Sequence, residues 1–243
     1  MRYSHKHKFV LVNNWKCGCS SICRMFDEYC EPCGDVNWVG ADRDQRDKCA
    51  NEEFGLLYED IVHSPASNIK KIFNGKGWNL DDYVTITSVR NPWARMVSLY
   101  FYLVKTQITE GYGRNIKHGG CFRYYPNKPD RETELVDFSV FARKSIPKWQ
   151  GGILHRWNTY EMIHDDAGIP LIDYVVRLEH LEEDLNPIIE KHFPDVHMNY
   201  NIRENTTEHE HYSTYYDDES KSVVADVFSY DIDRWGYKFE DCK

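Results

Sequence analysis

The sequence predicts an α/β protein: a single domain, residues 1–243, with a central, mostly parallel β-sheet flanked by helices. Three observations predict it. Short β-branched runs alternate with helical stretches along the chain. Two of the strand-to-helix junctions carry Gly, Ser or Pro where a turn and a helix start belong. No linker, internal repeat or low-complexity segment divides the chain.

The elements follow in order. The basic start, Met1 to Lys8, resembles the head of a signal peptide. The apolar run behind it, Phe9 to Val12, is too short for a signal core and ends in Asn13-Asn14, so it reads as a first strand. The expectation is a cytoplasmic protein, with a lumenal domain cut free of an anchor as the alternative. A turn at Asn14 to Cys19 leads into a helix that Ser20 or Ser21 can cap and that runs to about Tyr29. Residues 35–40 are a candidate short strand. Pro65 to Phe73 is helical, with Ile69, Ile72 and Phe73 on one face and Gly75 and Gly77 ending it. Tyr83 to Val89 is a buried strand, and Pro92 opens the helix after it, which runs to about Lys105. Residues 106–133 show little periodicity and read as an excursion loop. Beyond it come a helix at Leu135 to Lys144, a strand at Ile172 to Leu178, a helix at Glu179 to His192 and a long final helix at Asp217 to Arg234.

Composition narrows the function. Lys and Arg number 30 against 39 Asp and Glu, a net charge of −9, which excludes a general nucleic-acid binder. With 7 Trp, 17 Tyr and 11 Phe the chain is too aromatic for a disordered one. No apolar run approaches the roughly 18 residues that span a bilayer. Cys17, Cys19, Cys23, Cys30, Cys33 and Cys49 crowd the first fifth of the chain, whereas a disulfide framework spreads across a fold, so reduced thiols are expected.

Two segments carry chemistry. The first is Asn13-Asn14-Trp15-Lys16-Cys17-Gly18-Cys19-Ser20-Ser21-Ile22, directly after the first strand. A strand-to-helix turn offers backbone N–H groups that cradle a phosphate. Gly18 lets the backbone approach the ligand, Ser20 and Ser21 add hydroxyls, and Lys16 adds a mobile cation. In a nucleotide-triphosphate P-loop the Lys follows the last Gly. Here Lys16 precedes Gly18, which disfavours an ATPase, a GTPase or a nucleotide kinase-like phosphotransferase. Taken alone, the segment also fits an ordinary turn with an incidental Lys. The second segment runs from Thr87 to Tyr100. Arg90 ends a strand beside a helix start, and Ser98 lies about two helical turns further on. Two anion sites on one sheet edge point to a ligand with two anionic ends.

Other features are weaker. Cys30-Glu31-Pro32-Cys33 has zinc or redox spacing, but no second pair completes it, so a non-catalytic nucleotide- or metal-binding module remains a rival and no metal is expected. His209-Glu210-His211 supplies two ligands at most. Asn205-Thr206-Thr207 is a glycosylation sequon.

The pair of segments resembles that of the sulfotransferases that use 3′-phosphoadenosine 5′-phosphosulfate (PAPS), and more closely their carbohydrate, Golgi-type branch. Lys16-x-Gly18-x-Ser20-Ser21 matches the family's 5′-phosphosulfate loop. Val89-Arg90-Asn91-Pro92-Trp93-x-Arg95-x-Val97-Ser98-x-Tyr100 matches its 3′-phosphate segment. Tyr174 to Asp184 and Trp235-Gly236-Tyr237-Lys238-Phe239 are similar to two later stretches. The chain departs from the pattern at Trp15, where Pro is usual, and at Cys17 and Cys19, where small or hydroxyl residues are commoner.

The resemblance implies a P-loop-like sulfotransferase fold and transfer of a sulfuryl group from PAPS to a hydroxyl, with a carbohydrate as the expected acceptor and no metal. Lys16 would neutralise the departing phosphate oxygen. Cys17, Gly18, Cys19, Ser20 and Ser21 would line the donor loop, and Arg90 and Ser98 would hold the 3′-phosphate. His63 is the candidate base, with Glu59 and Asp60 behind it. The excursion loop would face the acceptor. Between Lys105 and Arg131 it holds six basic residues, only Glu110 and Asp130 against them, and interleaved Tyr112, Phe122, Tyr124 and Tyr125.

Overall fold

The computed structural model describes residues 1–32, 43–109, 122–124, 133–135, 137–145, 159–204, 206 and 208–240. The expected strand at 35–40, most of the 106–133 loop, Cys33, and Asn205 and Thr207 of the sequon lie outside them. The strands in chain order are β1 (Arg2–Ser4), β2 (Phe9–Val12), β3 (Val84–Val89), β4 (Phe122–Tyr124), β5 (Thr133–Leu135) and β6 (Tyr174–Arg177). The helices are α1 (Cys19–Met25), α2 (Arg43–Phe54), α3 (Tyr58–Val62), α4 (Ala66–Gly75), α5 (Pro92–Thr109), α6 (Phe138–Ser145), α7 (Thr159–Ile163), α8 (Leu181–His192), α9 (Asp218–Val227) and α10 (Ser229–Trp235). The chain divides into two compact units, Met1–Arg90 with Arg156–Asn205 and Asn91–His155 with Thr206–Lys243.

The first unit holds the sheet, in the order β1-β2-β3-β6. β2, β3 and β6 run parallel, with Val12 beside Thr87 and Val89 beside Arg177, and β1 pairs antiparallel with β2. The apolar, β-branched runs of β2 and β3 are buried, as strands covered on both faces require. Phe9, Leu11, Ile86 and Val176 form one core with Ile22, Phe26, Leu185, Ile188 and Phe193. The rings of Tyr3 and Tyr83 pack against Phe73 of α4. The basic head therefore contains a strand, β1, ahead of the one expected first. Its outer edge is covered, since the Glu31 amide donates to the Tyr3 carbonyl at 2.9 Å.

The second unit is built on α5, with α6, α9 and α10 and the antiparallel β4–β5 pair. Asn91 starts α5: its Oδ1 accepts from the amides of Trp93 and Ala94, and Pro92 fills the first helical position. Asn91 Nδ2 donates to the Lys238 carbonyl, and the Trp93 indole donates to the Lys221 carbonyl. Arg95 is fully buried and meets Asp231 at 3.5 Å. These residues of the conspicuous Arg90–Tyr100 segment are thus structural. The expected final helix is two helices, α9 with a capping box at Asp217 and Ser220, and α10, separated at Phe228. Among the described residues no helix is long and apolar enough to cross a membrane.

Candidate functional site

The parallel register brings the carboxyl ends of β2, β3 and β6 to one edge of the first unit's sheet, where α/β proteins place their ligands. The loop after β2 lies there. Lys16 has φ 59°, a left-handed backbone that a non-glycine residue adopts at a cost, and Gly18 has φ 76°. Gly18 is also the N-cap of α1 and makes no side-chain cap, so neither Ser20 nor Ser21 caps this helix. Ser21 is buried, and its Oγ accepts from the Glu204 amide at 2.9 Å. A glycine is needed here for close packing as well as for φ, because a Cβ on Gly18 would stand 2.4 Å from Leu178 Cδ1.

The loop is pinned from several sides. Ser88 Oγ, near the end of β3, donates to the Cys17 carbonyl at 2.8 Å. Asn14 Nδ2 donates to Thr159 Oγ1 at 3.2 Å, and Cys23 Sγ donates to Asn13 Oδ1 at 3.1 Å. Such ties hold a strained backbone in place before a ligand arrives. Lys16 itself is half-buried.

His63 is the C-cap of α3, and the carbonyl it meets belongs to this loop. Its Nδ1 lies 3.0 Å from the Asn13 carbonyl oxygen, and its ring stacks on Trp15 with centroids 5.7 Å apart. The structure therefore brings His63 to the Lys16 loop. The side chains of Glu59 and Asp60, the reserve bases, lie outside the described part. Arg90 follows the last residue of β3 at the same sheet edge and is half-buried. Ser98 lies buried on α5 in the second unit.

Burial, with Cys23 and Cys17 adding to it, pushes Cys19 up to about 12, and burial also pushes Cys30 up. Cys17, Cys19, Cys23 and Cys30 are free thiols, but Cys49 is disulfide-bonded, against the expectation of reduced cysteines throughout. Among the described residues no three His, Cys, Asp or Glu side chains converge on a common point. His209 stacks on Phe101 and His211 meets Ser213 Oγ at 2.8 Å, so both serve local packing.

The sequence places Asn13, Asn14, Trp15 and Ser88 inside its two conspicuous segments without giving them a role, and Thr159 carries no signal there at all. The doubled Asn before the loop was the one visible signal, since short amides commonly tie turns together.

A cation in a pinned strand-to-helix loop, at the carboxyl edge of a parallel sheet, is the arrangement in which α/β proteins commonly place anionic ligands. The chain belongs to the sulfotransferase family, whose model matches residues 1–238. It is accordingly an enzyme of the class that moves a sulfuryl group from a donor onto an acceptor hydroxyl. Searches of curated proteins and of solved structures found no match to this chain.

Proposed function

We propose that this protein transfers the sulfuryl group of PAPS to a carbohydrate hydroxyl, and that residues 1–243 act as one catalytic domain, as the span of the family match over both units supports. The observation that carries the reading is the attachment of His63 to the loop of Lys16, which sets a candidate proton acceptor against the loop that bears the cation. The donor set suits a phosphosulfate: a Lys, an Arg, two Ser hydroxyls and the opening turn of α1, whose first amides have no intrahelical acceptor in any helix.

PAPS supplies the sulfuryl group, and the chain's residues do the rest. Lys16 and the loop amides neutralise the charge that grows on the departing 5′-phosphate oxygen as the S–O bond breaks. Arg90 holds the 3′-phosphate. His63 takes the proton from the acceptor hydroxyl as its oxygen bonds to sulfur, so the products are the sulfate ester and 3′-phosphoadenosine 5′-phosphate. No step requires a metal. The basic, aromatic composition of residues 105–131 supports an anionic or sugar acceptor. The disulfide at Cys49 supports the lumenal alternative over the cytoplasmic one.

Transfer of labelled sulfate from PAPS to a panel of glycans, with calorimetry of 3′-phosphoadenosine 5′-phosphate against ATP, tests the reading. It requires label on a glycan and preference for the bisphosphate. Arg90→Ala should weaken the bisphosphate far more than adenosine 5′-phosphosulfate, which lacks the 3′ group. Equal losses would remove Arg90 from the site.

A further inference from the structure

A base that takes a proton through one nitrogen works only while the other nitrogen keeps its hydrogen, and an imidazole free in water exchanges its proton between the two. Two contacts settle this at His63. Asn13 offers a main-chain carbonyl, which can only accept, 3.0 Å from Nδ1. In the neutral ring Nδ1 therefore carries the hydrogen and Nε2 the lone pair. The Trp15 indole lies against the ring face, 29° from parallel, and limits rotation about the side-chain bonds. Both partners belong to the segment that carries Lys16. Asn13 is itself buried and held through its side chain by Cys23.

We infer that Trp15 is a positioning residue for His63 and that the Asn13 carbonyl sets its tautomer, so that the proton acceptor and the Lys16 cation keep one fixed geometry. The inference rests on the sulfuryl-transfer reading of this site. It adds that the loop orients the base as well as binding the donor. A misplacement of about 1 Å at a reacting group costs up to ~100-fold in rate, which sets the size of the effect.

The test uses the full chain and two readouts. Nitrogen-15 NMR of the His63 ring, above its titration, should report hydrogen on Nδ1 in the wild type and a mixture of tautomers in Trp15→Leu. Hydrogen on Nε2 in the wild type would overturn the inference. In sulfuryl transfer, Trp15→Leu should lose roughly 10- to 100-fold in kcat while the affinity for 3′-phosphoadenosine 5′-phosphate stays within about twofold, and Trp15→Phe should recover most of the rate. Because Trp15 acts through His63, the double variant Trp15→Leu/His63→Ala should be no slower than His63→Ala alone. Additive losses, or a fall in donor affinity matching the fall in kcat, would overturn it. If the wild type transfers no sulfate from PAPS, the functional reading fails by itself, and the NMR result still decides the roles of Asn13 and Trp15.

Discussion

Replacing Gly18 by Ala perturbs the loop at its tightest point. Two costs are readable. The backbone is left-handed at φ 76°, which an L-residue adopts at roughly 1–2 kcal/mol. The new methyl would also stand 2.4 Å from Leu178 Cδ1. That atom ends a flexible side chain, so Leu178 can swing aside. It packs partly buried against the core cluster, however, and forcing it out is overpacking, at about 1–3 kcal/mol. The two together give about 2–5 kcal/mol, or a fall in Tm of roughly 4–20 °C at 2–4 °C per kcal/mol for a chain of this size. Thermal unfolding followed by circular dichroism measures it. A second variant separates the costs. In a Leu178→Ala background the methyl has room, so adding Gly18→Ala should cost only the backbone part, about 1–2 kcal/mol. The reasoning fails if Gly18→Ala melts with the wild type, or if its cost is the same in both backgrounds.

Lys16→Ala should cut turnover ~10²-fold or more while donor affinity falls less, because the cation counts most as charge grows on the departing phosphate oxygen; steady-state rates beside calorimetry decide this. Asp231→Ala strips the carboxylate from fully buried Arg95 and should cost about 3–5 kcal/mol in urea denaturation, with an unchanged midpoint refuting the pair's role. Asp184 accepts from the amide and the guanidinium of Arg177, and that side-chain bond holds its carboxyl below the usual range. A depressed carboxylate contributes stability above its unfolded pKa and loses it as pH falls through the folded one. The stability gap between wild type and Asp184→Asn should therefore be full at pH 7 and close on acidification below about 4; a gap independent of pH would contradict it.

The sheet was legible where its strands are apolar and β-branched. β2 matches the expected span at both ends, and β3 differs by one residue. β1 was not, because Arg2-Tyr3-Ser4 has no apolar run or alternation and is a strand only through pairing with β2. α2 was hidden for a related reason: its sequence is polar on every side, with no stripe to mark a buried face. The split at Phe228 lacks the Gly or Pro that would announce it. In the candidate site, residue type and position after β2 singled out Lys16 and Gly18, and the family resemblance singled out His63. The Asn13–His63 bond joins groups fifty positions apart, and the stack of Trp15 on the same ring is likewise tertiary, so no local pattern could carry either.

The order of the sheet has a consequence for how the protein is made. β3 lies between β2 and β6, yet β6 begins only at Tyr174, after the whole Asn91–His155 stretch of the other unit has been synthesised. At on the order of 5–20 residues per second, a growing chain carries β3 with one side unpaired for several seconds. That side is a row of open amides and carbonyls flanked by apolar residues, which invites pairing with another nascent chain. Ribosome-stalled chains ending before Tyr174 should therefore bind holdase chaperones, and chains extended past Arg177 should be released.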